Sequence, residues 1–493
     1  MKLYQIGIKV AAFLCFSPPD MLFLTGMKPV NPVIIPRAEH SVSRSLLSPN
    51  AVRVLYRLSD HGFIAYLVGG CVRDLLLGRE PKDFDVVTNA TPNQIKKLFR
   101  NCRLIGRRFR LAHLHFQDEI IEVATFRSKA PGETEDEPQP EASDTPAPDA
   151  AEPRRRHPEH LKSADGMILR DNVFGTPEED ALRRDFTVNA LFYNIADFSI
   201  IDYAGGMEDL SRGIIRIIDD PFERFTEDPV RMIRAVRFAA MLGFNIENLT
   251  WRAILELGDT ITRAAPARLF EEVLKLFLAG CGERTYQLLR QTGLFAALFP
   301  HFNNWLAEET DGFPHTRVGQ ALDWIDDRIR MGEKVSPQVF LALMSGRYIE
   351  EKGEHHRRAG VPPQQSLDLA VAEFLGELAP TVMIPHKTGI LVRNILAYQH
   401  RFRKTPGKHP LSFIGRPGFG DAVDYLRFDC GITGKNRDAL SWWESFIQAN
   451  PLPPNGGQAG EQAPKPSTGT GRRKRRRRRS HGREKPGEGP EIS

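Results

Sequence analysis

The stretch from Tyr66 to Pro92 reads YLVGGCVRDLLLGREPKDFDVVTNATP. It holds Gly69 and Gly70, then Arg73, then Asp83 and Asp85 on either side of one phenylalanine. A short apolar run that ends in two glycines and feeds a helix exposes backbone N–H groups at close range. The helix N-terminus adds favourable potential for a phosphate. Arg73, just inside that helix, is placed to contact a triphosphate. Alone, a Gly-Gly turn is more often only a turn, and the chain has no Gly-x-x-x-x-Gly-Lys-Ser/Thr loop. Asp83 and Asp85 change the reading. On a strand, residues two apart share a face, and neighbouring carboxylates repel unless a cation sits between them. Mg2+ takes such oxygen ligands and commonly shares them with phosphates. Asp-x-Asp by itself also occurs as a solvated pair at a strand edge. Bare backbone, a guanidinium and paired carboxylates together fit metal-assisted attack of a hydroxyl on a nucleotide phosphate, with two Mg2+ ions. Glu122, on a later strand, is a candidate third carboxylate, although a solvent-facing strand glutamate looks the same in sequence.

These residues need elements to hold them. The spacing of Val52, Leu55, Tyr56 and Leu58 predicts a helix ahead of the motif. IAYLVGG reads as a buried strand meeting a turn, CVRDLLLG as a short helix ending at Gly78, and DFDVVT as the next strand. TPNQIKKLFR is a helix with Thr91 as N-cap and Pro92 at its first position. LAHLHF and IIEVATFR form a hairpin. The unit is α/β, built on a small mixed sheet. From Pro221 to about Ala449 the period is helical, punctuated at Gly243, Gly280, Gly293 and Pro300.

Two further segments carry charge in useful patterns. RRDFTVNALFYN places Arg184 near Asp185 and Asn189: a cation for phosphate and two groups suited to ribose hydroxyls, or else a surface pair of little energetic weight. EDPVRMIRAVRF places Asp228 as N-cap before Pro229, then Arg231, Arg234 and Arg237 at three-residue steps along one helix face. In most helices such a row is merely solvated.

The run Leu67 to Asp85, RRDFTVNAL at Arg183 to Leu191, and EDPVRMIRAVRF at Glu227 to Phe238 together resemble the polymerase-β-type nucleotidyltransferases. The likeness is to the branch of CCA-adding enzymes and bacterial poly(A) polymerases, over roughly residues 30 to 450. The resemblance implies an α/β N-terminal nucleotidyltransferase head followed by an all-helical neck, body and C-terminal region. It assigns catalysis to Asp83, Asp85, Asp185 and Glu122, with Asp83 and Asp85 on the metal. Nucleotide contacts fall to Gly69, Gly70, Arg73, Arg184, Asn189, Glu227, Asp228, Arg231 and Arg234. In this family Glu227, Asp228 and Arg231 would read the base. A carboxylate accepts from an exocyclic amine while a guanidinium donates to a ring nitrogen, which suits adenine and cytosine. Guanine and uracil would leave buried groups unpaired.

The base-reading pair cannot separate A addition from CCA addition. RLIGRRFRLAHLHF (Arg103 to Phe116) and WWESF at Trp442 resemble the poly(A) polymerase subgroup. Arg107, Arg108 and Arg110 interleaved with Phe109 suit single-stranded RNA, cations for the backbone and an aromatic for stacking; Phe109 as a core residue is an equal reading. The tail adds Arg472, Arg473, Lys474, Arg475, Arg476, Arg477, Arg478 and Arg479, a block with sequence-independent affinity for RNA. The expectation is therefore ATP-dependent addition of AMP to RNA 3′ ends. A CCA-adding enzyme is the alternative, and a non-catalytic RNA-binding protein the second.

Length and composition bound the rest. The chain has 493 residues, 26% charged and 41% hydrophobic, and a formal charge of +5. That is globular with room for several domains. Residues 1–45 read as an irregular leader, 46–205 as the head, 206–280 as the neck, 281–450 as an RNA-binding body and 451–493 as a disordered tail. About 128–166 is acidic and proline-rich and reads as a mobile insertion. Five scattered cysteines without a Cys-x-x-Cys pair fit a reducing, cytoplasmic setting. KVAAFLCF (Lys9 to Phe16) is too short to cross a bilayer; a mobile extension, or a true start at Met27, is expected instead. The expected partners are ATP and RNA 3′ ends, with no membrane and a monomeric chain.

Overall fold

In the computed structural model, the described residues are 31–106, 110–128, 160–162, 168–171, 174–308 and 315–451. Chain order in the first half is β1 (Val33–Ile35), α1 (Pro49–Asp60), β2 (Ala65–Val68), α2 (Gly70–Leu76), β3 (Asp85–Thr88), α3 (Pro92–Leu98), β4 (Cys102–Ile105), β5 (Leu111–His115) and β6 (Ile120–Thr125). Then come β7 (His160–Lys162), β8 (Ile168–Asp171), α4 (Pro177–Leu182), β9 (Leu191–Asn194), β10 (Ile200–Asp202), α5 (Gly206–Arg212) and β11 (Ile214–Ile215).

The mixed sheet has eight strands in the order β1-β10-β9-β2-β3-β6-β5-β4, while β7 and β8 form a separate ribbon. Only β3 and β6 run parallel within the eight. The predicted local signals hold. Thr91 caps its helix as expected, with Gln94 completing a capping box ahead of Pro92, and the expected α1 is present with a cap not anticipated, Ser48, which accepts from the N–H groups of Asn50 and Ala51.

Two segments read as irregular contain strands. β1 lies inside the 1–45 leader and pairs with β10. β7 lies inside the 128–166 insertion, where Ser128 is also buried and bonds Glu179. Three-residue strands carry too little periodicity to stand out; a neighbouring strand's free backbone groups recruit them. The remaining insertion, residues 129–159, lies outside the described residues.

Alternation along the strands divides the sheet's faces. Leu67, Val86, Ile121, Val123, Leu191 and Tyr193 join the large core that continues through the helices to Trp443. Val68, Val87, Phe126, Ala190, Phe192 and Ile201 form a small second cluster with Ala181 of α4 on the other face. By strand parity, Asp85 and Glu122 belong to this second face.

The helical half runs through α6 (Pro221–Glu227), α7 (Val230–Leu242), β12 (Asn245–Ile246, paired with β11), α8 (Asn248–Leu257), α9 (Pro266–Phe277), α10 (Gly282–Gln291), α11 (Leu294–Leu298) and α12 (Pro300–Ala307). It continues with α13 (His315–Arg330), α14 (Pro337–Arg358), α15 (Pro363–Leu378), α16 (His386–Phe402), α17 (Pro410–Ile414), α18 (Phe419–Thr433) and α19 (Arg437–Ala449). Among the described residues no helix is long and apolar enough to cross a membrane.

Candidate active site

Strand β2 ends at Val68 and is followed by Gly69, whose φ of +80° and ψ of −134° strongly favour glycine. A Cβ there would also stand 3.5 Å from an Arg184 guanidinium nitrogen. Gly70 opens α2. Beside it, β3 begins at Asp85 rather than at Asp83. Its antiparallel partners on β2 run only from Ala65 to Leu67, because β2 turns away at Gly69. Asp83 is thus an exposed residue in the approach to the strand, and the simple two-residue parity argument does not place it.

Across the sheet Asp85 pairs in register with Glu122, and Glu122 with His113. The Glu122 Oε1 is 3.4 Å from the His113 Nε2, and Glu122 is nearly half exposed. Burial, then Glu122, push the Asp85 carboxyl up to about 6; Arg184 works against them and Asp83 adds to them. Among the described residues no three His, Cys, Asp or Glu side chains converge to hold a metal ion. Glu122 stands in register beside Asp85 on the neighbouring strand and raises its carboxyl. Asp83 and Asp85 remain as a pair.

The residues assigned to nucleotide contacts divide into two groups. Arg73 is only 3% exposed. It donates to Asn189 Oδ1 at 2.6 Å and to Asp74 Oδ1 through Nε and Nη2. From that position it does not project to a triphosphate, so the expectation of direct contact is corrected: Asn189, brought beside α2 by the fold, and Asp74 hold it inward. Asn189 in turn donates to Asp185 Oδ1 at 3.4 Å, and Arg234 donates to Asp185 Oδ2 at 2.8 and 2.5 Å. Burial alone would raise the Asp185 carboxyl, but Arg234 and the Phe186 and Asn189 donors bring it down to about 2. A continuous polar chain thus runs Arg234–Asp185–Asn189–Arg73–Asp74 from α7 to α2.

Glu227 is buried and accepts from Arg224 at 2.9 Å and Arg231 at 3.2 Å. Arg224 also donates to the Arg183 and Arg184 carbonyls. Glu227 is thereby a tether for the arginines, not a group facing the cleft. Helix α7 starts one residue later than expected, at Val230, with Pro229 rather than Asp228 in the N-cap position; Asp228 Oδ1 still accepts from the Val230 N–H, and Pro229 already has helical angles.

A cleft of about 430 Å3 opens above the second sheet face. It is lined by Ala124, Leu111, Asp180, Arg184, Asp185, Asp228, Arg231, Arg234 and Arg268, among others. Arg184 is held there by Asp180 Oδ2 at 2.7 Å and lies over the Phe192 ring. Asp228 is gripped by Arg268 through two parallel bonds of 2.9 and 2.7 Å. Gly69 reaches this group through Arg184.

Sequence reading missed Asp180, Arg224, Arg268 and Phe238. Thr176, Pro177 and Glu179 form a capping box that signals α4 and hence Asp180's helix. Nothing local signals Arg268, forty residues from its partner. The Phe238 ring sits among three guanidiniums, Arg237 at 4.9 Å, Arg73 at 5.2 Å and Arg234 at 5.5 Å. Of the expected RNA contacts, Arg110 is exposed at the start of β5. Arg107, Arg108, Phe109 and Arg472 to Arg479 lie outside the described residues.

Family models match in three places: the Poly A polymerase head domain at residues 65–216, the probable RNA and SrmB-binding site of polymerase A at 243–306, and the polymerase A arginine-rich C-terminus at 359–481. The chain is 43% identical over 431 residues to poly(A) polymerase I of Salmonella typhimurium (strain LT2), covering 87% of this chain and 88% of that one. It is 42% identical to poly(A) polymerase I of Escherichia coli O6:H1, over 88% and 90%. A CCA-adding enzyme of Lactobacillus helveticus is 34% identical over only 50% of this chain and 53% of its own. The fold resembles the crystal structure of the Bacillus stearothermophilus CCA-adding enzyme in complex with CTP, with a TM-score of 0.55 and 24% identity over 82% and 83% of the two chains. With its head, neck segment and C-terminal region all matched, and its likeness to the curated polymerases running nearly end to end, this chain belongs to the poly(A) polymerase family of nucleotidyltransferases.

Proposed function

We propose that this chain is a polynucleotide adenylyltransferase that adds AMP from ATP to RNA 3′ ends without a template. The observation that carries the reading is extent of likeness. The poly(A) polymerase relatives match over 87–88% of the chain, whereas the CCA-adding relative matches over half.

Asp83 and Asp85 would hold Mg2+, with the nucleotide's phosphate oxygens as further ligands. The fit rests on placement: Asp85 opens β3 in register beside Glu122, and the exposed Asp83 lies two residues before it, so carboxylates gather where a cation can join them. Bound there, two such ions would supply activation of the 3′-hydroxyl and neutralisation of the phosphoryl oxygens. The protein's own groups do the remaining work. Arg184, anchored by Asp180 beside the Gly69 backbone, holds the triphosphate. Asp228 accepts from the adenine amine, and Arg231 donates to the ring nitrogen beside it. Arg73, Asn189, Asp185 and Arg234 fix the head against α7, so that the base and the α-phosphate keep one spacing. Gly70 keeps the start of α2 open. The reaction belongs in the cytoplasm, on a monomer that engages RNA through its helical body and basic tail.

Incubating the purified protein with Mg2+, an unstructured RNA and each NTP singly tests this directly. Long products with ATP alone support the reading. CTP incorporation that stops after two residues until ATP is supplied makes it a CCA-adding enzyme. No incorporation with any NTP leaves an RNA-binding protein.

A further inference from the structure

Strand β3 has different neighbours on its two sides, in the order β9-β2-β3-β6-β5-β4. On the β2 side stand Gly69 and, over Phe192 of β9, Arg184, the groups given above to the triphosphate. On the β6 side the register runs Asp85–Glu122–His113–Arg103, one residue from each of four adjacent strands. Residues paired across a ladder share a face. Val123, Ala112, Leu114, Cys102 and Leu104 alternate with them and pack into the large core. Glu122, His113 and Arg103 therefore lie on the opposite face, with Asp85.

The catalytic reading gives this flank no task, yet its polar groups are available. Arg103 is exposed on the edge strand and makes no ion pair among the described residues. The His113 and Glu122 side chains are partly exposed, at 19% and 45%. His113 Nε2 and Glu122 Oε1 stand 3.4 Å apart, longer than a good N–H···O bond. A hydroxyl beside such a pair can bridge it, accepting the ring N–H while donating to the carboxylate. In the next row of the same face Ile120, opposite His115, is 46% exposed and adds apolar surface.

In a phosphoryl displacement the attacking and leaving oxygens lie roughly in line across the phosphorus. With the leaving pyrophosphate on the β2 side, the attacking 3′-hydroxyl reaches Asp85 from the β6 side. The 2′-hydroxyl of the same ribose is one carbon away from it. We propose that His113 and Glu122 bind the 2′-hydroxyl of the acceptor's terminal nucleotide, and that Arg103 takes the phosphate preceding that nucleotide. His113 is then a specificity-determining residue that selects a ribose end. A deoxyribose end leaves the pair without its bridge, the way a site built around a hydroxyl rejects the analogue lacking one. The inference deepens the adenylyl-transfer reading and rests on it.

The test uses the full chain with Mg2+, saturating ATP and one oligoadenylate in two forms, ending in ribose or in 2′-deoxyribose. The parent should favour the ribose end in kcat/KM for RNA by ~10-fold or more, the scale of one hydrogen bond to a charged group. His113→Ala should shrink that ratio by ~10-fold through the ribose substrate, with the KM for ATP held within about twofold. His113→Gln, whose amide N–H can replace the ring donor, should recover part of the ratio. Arg103→Gln should raise the KM for both RNAs by a similar factor, ~5-fold, and keep the ratio. A parent without sugar preference overturns the proposal before any variant is made. So does an unchanged ratio in His113→Ala, or a rise in its KM for ATP that matches the loss on RNA. Parental KM values for both RNAs in Arg103→Gln overturn the phosphate contact. No addition to either RNA by the parent fails the adenylyl-transfer reading itself, and this inference with it.

Discussion

The start of the central strands β3 and β6 in the head sheet and the arginine row of α7 are both crowded with charge, but they handle it in opposite ways. On α7, Arg231, Arg234 and Arg237 each meet a carboxylate, Glu227, Asp185 and Glu272. Where the central strands β3 and β6 begin, Asp83, Asp85 and Glu122 are neighbours of like sign, and Asp85 is raised by burial first and by those neighbours second. The first region is a scaffold, neutralised internally and rigid. The second is left with negative charge that a cation and a phosphate-bearing ligand can complete. A charged cluster that balances itself reads as structure, and one that does not reads as a site.

The sharpest way to break this comparison is Asp85→Asn. It should lower AMP addition by ~10^3-fold, the scale of losing a group that stabilises the transition state. The melting temperature should hold or rise, because a repelling charge is removed. Loss of folding with the activity would mean that Asp85 belongs to the scaffold.

Asp185→Asn makes the opposite case. Removing one partner strands the Arg234 charge, and stability should fall by about 3 kcal/mol. The pH dependence has a definite sign. The Asp185 pKa is depressed to about 2, so its contribution is present above the unfolded value near ~3.9 and is lost as pH falls through that window. Urea unfolding at pH 7 and near pH 2.5 should show the gap between variant and parent closing at the lower pH. A constant gap would remove the ion pair from the account.

Phe238→Leu tests whether the ring joins the two regions. Losing three cation–π contacts and some packing should cost about 2 kcal/mol and raise the KM for ATP, while the Asp85 region keeps its share of kcat. A fall in kcat alone would contradict the positioning role.

Arg268→Gln is the mildest. The Asp228–Arg268 pair is partly exposed, so stability should change by under ~1 kcal/mol. Without that grip the Asp228 carboxylate can rotate, and the ratio of kcat/KM for ATP over GTP should drop several-fold. Unchanged discrimination would place base reading elsewhere.

Local rules gave the frame its form. Ser48 and Thr91 announce their helices because a side-chain oxygen satisfies backbone donors within three residues. Gly69 is legible because its positive φ favours a missing Cβ. The strand–turn–helix carrying Gly69, Gly70 and Arg73, and the arginine spacing on α7, are equally local facts. Whether a named residue faces ligand or core is not local. Arg73 turns inward because Asn189, 116 residues away, accepts from it, and Asp185 is held ionised by Arg234 across 49 residues. Asp228 owes its orientation to Arg268, and Asp85 its raised pKa to burial in the fold and then to Glu122 on an adjacent strand. Hydrogen bonds and Coulomb terms act over a few ångströms, and only the folded chain decides which distant residues come that close.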